Sequence, residues 1–243
     1  MTQTRSLPFS VVFNFRDVGG YPGLDGRSVR WRTLFRSDSL HRLDEADREA
    51  FAALGVRTVI DLRRPKEIAK VGRIPERHAP TYRHIYPKHA EWDAATLPDE
   101  VDVERWLADR YLDLARDGRE AIVDALAVIA DADAAPVVVH CMAGKDRTGV
   151  VCSVTLALLG VADADIAEDY ALSHVAMGRM TEWMVAADPA HVPLPDTFLA
   201  APAGAMALFL RDLRTAYGSV EEYAFGGGFT PAQLAALRSH LLD

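Results

Sequence analysis

The chain has only two cysteines among 243 residues, Cys141 and Cys152. Two thiols cannot make a disulfide framework, and a chain of this length buries a sufficient core without one. They fit a reducing compartment. No stretch reaches the roughly 18 apolar residues that a membrane-spanning helix requires. The opening MTQTRSLPFSVVF has no apolar core followed by a cleavage site. The expectation is a cytoplasmic protein, or one secreted without a visible signal peptide, with no integral membrane contact. Positive charge is also in deficit: 27 Lys and Arg stand against 35 Asp and Glu, a net charge of -8. Such a surface repels a nucleic-acid backbone, so no nucleic-acid partner is expected. The histidines lack metal-ligand spacing, and no metal or other cofactor is expected. Internal repeats and low-complexity tracts are absent too, and the chain is read as a monomer.

What remains is an ordinary globular balance, 49% hydrophobic and 26% charged. Helical and strand patterns alternate along it. Strands are expected over 11–15, 34–36, 56–63 and 136–139. Helices are expected over LDEADREAFAALG, with Asp44 as cap and Gly55 as stop, and over VERWLADRYLDLARDG and REAIVDALAVIADAD. Another follows 136–139 as far as Gly160. Residues 163–185 read as one long helix or a broken pair. The segment 188–204 holds four prolines and cannot be continuous helix. Three C-terminal helices follow, the last capped by Thr230 with Pro231 behind it. Strands separated by helices predict an α/β fold, a mostly parallel central sheet with helices on both faces. A single domain over 1–243 is expected, with a candidate helical lid within about 174–204.

One stretch carries chemistry. HCMAGKDRTG, residues 140–149, sits where an apolar β-branched strand gives way to a helix. A cysteine is a nucleophile only as thiolate, and this position can stabilise one. The backbone N–H groups of residues 142–147 can curl into a positively polarised nest, and the helix beginning there adds its dipole. Gly144 permits the tight loop, Arg147 supplies a full charge, and the Thr148 hydroxyl can donate to sulfur. The same features bind a phosphate dianion, with arginine gripping two oxygens through its planar fork. Met142, Ala143, Gly144, Lys145, Asp146 and Arg147 are therefore the candidate phosphate-binding residues and Cys141 the candidate nucleophile. Phosphoryl transfer to sulfur followed by hydrolysis is the implied reaction, and the leaving oxygen requires an acid. The bland alternative, a buried structural cysteine in a helix-capping turn, accounts for fewer of these residues at once. A nucleotide-type phosphate loop is excluded by the missing Gly-x4-Gly-Lys-Ser/Thr order.

These residues resemble the His-Cys-x5-Arg-Ser/Thr signature of the cysteine-dependent protein tyrosine phosphatases. More narrowly, the chain resembles a bacterial protein tyrosine phosphatase family of mycobacterial type. NFRDVGG at 14–20, FRSD at 35–38, DLRRPKE at 61–67 and DYALS at 169–173 carry that likeness. It implies a protein tyrosine phosphatase-like fold, Cys141 as nucleophile and Arg147 as phosphate clamp. It implies that Lys145 faces substrate and favours highly anionic esters, so both phosphotyrosine proteins and phosphoinositides are candidate substrates. A lipid or inositol-phosphate phosphatase, or a silent phosphate-binding module, are the alternatives. Ordinary tyrosine phosphatases take their acid from a Trp-Pro-Asp loop, absent here; EWD at 91–93 and LPD at 97–99 are weak stand-ins. The resemblance points instead to Asp146, which otherwise only orients Arg147 or the loop. Asp61, at a strand end facing the expected cleft, is either the runner-up acid or a structural partner for an arginine.

Supporting roles fall to His140, Thr148, Asp61, Asn14 and Arg16. His140 either tunes the thiol or shapes the loop. Arg16 and Asp17 are expected to brace the base of the site. Arg63 and Arg64 either widen a basic rim or form a solvated pair, and Cys152 reads as a small buried hydrophobe. The methionines and Trp183 of VAMGRMTEWMV either form an apolar lid or pack a helix.

Overall fold

A computed structural model describes residues 4–7, 9–76, 81–92, 101–188, 190, 192 and 194–243. Among the described residues five strands form one sheet: β1 (Arg16–Asp17), β2 (Leu34–Ser37), β3 (Thr58–Asp61), β4 (Thr81–His84) and β5 (Val137–His140). Their order is β1-β2-β5-β3-β4. Only β1 runs antiparallel, against β2; the other pairs are parallel. The fold is therefore the α/β arrangement expected.

Both sheet faces are covered, and the strand residues show it by alternation. Leu34, Ile60, Val137 and Val139 enter one hydrophobic cluster, while Phe35, Val59 and Val138 enter another. Each of these valines gains roughly 1.5–3 kcal/mol from full burial, so sheet and helices are mutually stabilising. The smaller face is closed by α1 (Glu45–Ala52), capped by the Asp44 carboxylate on the Asp47 amide. The larger face holds α3 (Val103–Asp117), α4 (Arg119–Ala130), α5 (Asp146–Leu158), α6 (Asp163–Ala171), α9 (Ala203–Tyr217), α10 (Val220–Phe225) and α11 (Pro231–Leu241). All but two residues of α5 are buried, as a helix at the centre of the larger layer must be. Residues 163–185 are a broken pair, α6 and then α7 (Ser173–Ala187), and a short helix α8 (Asp196–Leu199) interrupts the proline-rich segment. No helix among the described residues is long and apolar enough to cross a membrane.

One local expectation fails and two elements went unassigned, each for a physical reason. Residues 11–15 are not a strand. The Ser10 and Val11 amides donate to the Asp47 carboxylate and those of Phe13 and Asn14 to Asp38, so side chains take the place of a ladder. The strand Thr81–His84 escapes notice because TYRH has no apolar alternation and lies half exposed at the sheet edge. The helix α2 (Pro65–Val71) is short and buries no residue fully; it is held by Pro at its start and by Glu67 accepting from the Arg64 amide at 2.6 Å. Asp93 and residues 97–99, the weak stand-ins for a separate acid loop, lie outside the described residues.

Candidate active site

The sheet gathers the site. The strand ends Ser37, Asp61 and His140 lie side by side, and the chain leaves β5 there into the loop 141–145. The carboxyl ends of parallel strands are where open α/β sheets place ligands. The loop's shape follows from where its carbonyls go. His140 Nδ1 donates to the Cys141 carbonyl (3.1 Å), the Ser39 amide to Met142 (3.0 Å), Asn14 Nδ2 to Ala143 (3.0 Å) and Arg36 Nη2 to Gly144 (2.9 Å). In a trans peptide the following N–H points opposite to the carbonyl. Tying four successive oxygens outward therefore turns the amides of Met142, Ala143, Gly144 and Lys145 inward. Gly144 has φ +67°, and a Cβ there would stand 2.4 Å from the Ser37 carbonyl oxygen.

Those tethers rest on a buried ionic cluster. Asp169 accepts from Arg16 Nε (3.1 Å) and Arg36 Nη1 (2.6 Å), and Arg16 also donates to the Asn14 side chain. All three charged groups are almost fully buried. Burial works against the Asp169 carboxylate, yet the two guanidinium groups hold it far below the usual range. Arg16 thus lies beneath the loop, joined to Asp169 and Asn14. Asp17 does not; it accepts from the Gly19 and Arg32 amides in a neighbouring turn.

A cavity of about 230 Å³ opens above Cys141. Its lining includes Cys141, Met142, Ala143, Lys145, Asp146 and Arg147 from the loop and α5, and Arg64, Glu67 and His89 from β3 onward. Met177, Leu194 and Phe198 are among the residues covering it. Of the two readings of Trp183, lid or helix packing, the contacts fit packing: it lies outside the lining, its ring tilted against Phe13 with centroids 5.8 Å apart.

Arg147 is gripped by Glu67 through two hydrogen bonds, 2.6 and 2.9 Å, and donates to the Leu62 carbonyl at 3.2 Å. Burial opposes its charge; the Cys141 sulfur, Glu67 and Asp146 more than offset that. A guanidinium has five N–H donors. Three are used among the described residues, which leaves Nε–H and one Nη2–H, adjacent donors able to take two oxygens of one phosphate. Asp146 is the first residue of α5, and its Oδ1 accepts from Tyr111 Oη at 2.7 Å. Lys145 lines the cavity, but its buried ammonium donates to the carbonyls of Phe198 (2.5 Å) and Ala200 (3.0 Å) rather than standing free for substrate. The Thr148 hydroxyl is buried without a partner among the described residues.

The runner-up acid is misplaced. Asp61 is fully buried, bound by Arg63 (2.6 Å) and Tyr82 Oη (2.8 Å), and does not line the cavity. Burial opposes its carboxylate, but His140 and Arg63 hold it well below the usual range, which leaves it no proton to give. Arg63 is neither rim nor solvated: it is wholly buried between Asp61 and Ser39, and only Arg64 reaches the cavity. His140 is buried and shapes the loop, its basicity lowered by burial and by the Arg63 and Arg147 charges. Cys152 packs in the core, its thiol pushed up to about 11 by burial. Sequence reasoning missed Glu67, Arg36 and Asp169 as working residues, although each stood inside a quoted motif. It missed Tyr111 entirely.

A thiol beneath an arginine fork, at the junction of a central strand and a buried helix, defines a cysteine-dependent phosphatase. The chain belongs to the tyrosine phosphatase family, whose model matches residues 7–243. It is 29% identical to a tyrosine-protein phosphatase of Nostoc commune, over 91% of this chain and 81% of that one. It is 28% identical to a triple specificity protein phosphatase of Mycobacterium tuberculosis, over 98% of this chain and 99% of the relative.

Proposed function

We propose that the chain hydrolyses phosphotyrosine in proteins through a cysteinyl-phosphate intermediate on Cys141. The observation that carries this reading is the Cys141 cavity ringed by inward amides and the two free donors of Arg147. In the first step the sulfur attacks phosphorus as the bond to the leaving oxygen breaks, and Asp146 gives that oxygen its proton. In the second step Asp146, now a carboxylate, takes a proton from the water that attacks phosphorus and releases the thiolate. The Thr148 hydroxyl, without a partner among the described residues, is the donor available to the sulfur while it carries charge. The segment 174–204 acts as a lid, supported by its residues over the cavity and by its two carbonyls on Lys145.

Cys141→Ser tests the reading: turnover falls by roughly 10⁵-fold or more, as for loss of a nucleophile, while inorganic phosphate still binds. Hydrolysis near the wild-type rate would sink it. Broader specificity is the second reading, favoured by Arg64 lining the cavity beside Arg147 and by the triple-specificity relative. Comparing kcat/KM on phosphotyrosine peptide, phosphoserine peptide and phosphoinositide ranks the substrates.

A further inference from the structure

The two oxygens of Asp146 are not equivalent. Oδ1 accepts from Tyr111 Oη at 2.7 Å and lies 3.5 Å from Lys145 Nζ. Oδ2 has no hydrogen-bond partner among the described residues, in a side chain that lines the cavity. Tyr111 Oη in turn lies 2.6 Å from Tyr170 Oη. An ionised carboxylate only accepts, so Tyr111 gives its one hydrogen to Oδ1 and Tyr170 gives its own to Tyr111. Burial first, and the Asp146 charge second, push the acidity of both phenols well away from neutrality, so both remain donors. The rings are fixed as well. Tyr111 is wholly buried, edge-on to Tyr170 at 5.8 Å and to Phe209 at 6.2 Å.

We propose that Tyr111 and Tyr170 are positioning residues for proton transfer, a relay that fixes Asp146 through Oδ1 and reserves Oδ2 for the leaving group. This rests on the reading of Asp146 as the acid. As the Oδ2–H bond breaks and the new O–H bond forms on the leaving oxygen, its electron pair stays on the carboxyl group and spreads onto Oδ1. The Tyr111 hydrogen bond is therefore strongest when the proton has gone, which is the condition for lowering a barrier rather than merely holding a ground state. Tyr170 adjoins Asp169, so one turn of α6 ties the loop backbone through its aspartate and orients the acid through its tyrosine.

The test is kcat/KM on aryl phosphates of graded leaving-group acidity, from dinitrophenyl to phenyl phosphate. It compares wild type, Tyr111→Phe, Tyr170→Phe, Asp146→Asn and the Tyr111→Phe/Asp146→Asn double variant, with vanadate affinity and Tm measured alongside. A positioned acid contributes roughly 10²–10⁴-fold. Tyr111→Phe is expected to lose about 10-fold of that on phenyl phosphate, the value of one hydrogen bond to a charged group, and less than about two-fold on dinitrophenyl phosphate. Tyr170→Phe follows the same pattern at about three-fold, and vanadate binding is unchanged. The double variant is no worse than Asp146→Asn alone, because a relay has nothing left to act on. Equal losses across the series, weaker vanadate binding, or additive losses in the double variant would overturn the relay. Should Tyr111→Phe fail to fold, Tyr170→Phe decides by the same slope. The two readings separate: equal losses on all esters for Asp146→Asn remove the acid itself, whereas a leaving-group slope there with none in either tyrosine variant removes only the relay.

Discussion

Two arginine–carboxylate clusters flank the loop, and they differ in burial. Beneath it, Arg16 and Arg36 enclose Asp169, with all three side chains at most 3% exposed. At its mouth, Arg147 meets Glu67 with 9% and 17% exposed. The chemistry is the same and the work is different. The lower cluster turns its donors on backbone and side chains, all but Arg36 Nε, which is buried without a partner among the described residues, so it pins geometry. The upper pair leaves two guanidinium donors without a partner among the described residues, so it presents a grip. Desolvation explains the split: a wholly buried pair is costly to assemble and costlier to break, whereas a pair at a cavity wall can exchange partners with an incoming anion.

The contrast can be broken at several points. Asp169→Ala strands two buried cations and is expected to cost roughly 3–5 kcal/mol, seen as a fall in Tm of roughly 10 °C for a chain of this size. Arg147→Lys removes the fork; kcat/KM falls about 10²-fold, as when one oriented donor is lost, while Tm stays near wild type. Glu67→Gln keeps the shape but loosens the grip; kcat/KM falls about 10-fold and stability changes by less than about 1 kcal/mol, as for a partly exposed pair. A drop in Tm matching Asp169→Ala would erase the distinction between pin and grip. The smallest effect is in pH. The folded-state pKa of Asp169 is held below its unfolded value, so its stabilisation is present above the unfolded carboxylate value of about 4 and is lost as pH falls below it. Denaturant titrations between pH 5 and pH 2 are expected to show this slope in wild type and a flatter one in Asp169→Asn.

The α/β class was legible because strands buried on both faces must be apolar throughout, as Val137–Val139 are. Cys141 and Arg147 were legible because their roles follow from residue type at a strand-to-helix junction. Lys145 was read incompletely, since its charge is visible in sequence but the two carbonyls that claim it lie more than fifty residues away. The two readings of Asp61, acid or arginine partner, stayed undecided for the same reason. A strand-end carboxylate facing a cleft and one sealed by Arg63, Tyr82 and His140 are identical as letters. Tyr111 carried no local signal at all, because a tyrosine on the apolar side of a helix is ordinary core until its hydroxyl meets a partner 35 positions on.

The approach of Gly144 to the Ser37 carbonyl has a consequence for sequence variation. Every other amino acid places an atom 2.4 Å from that oxygen and adopts a left-handed backbone at a cost besides. The neighbouring strand end cannot retreat, since the same β2 carries Arg36, whose guanidinium holds the Gly144 carbonyl. A saturation library at position 144 selected for turnover is expected to return glycine alone, while positions 142 and 143, whose side chains line open space, accept many letters.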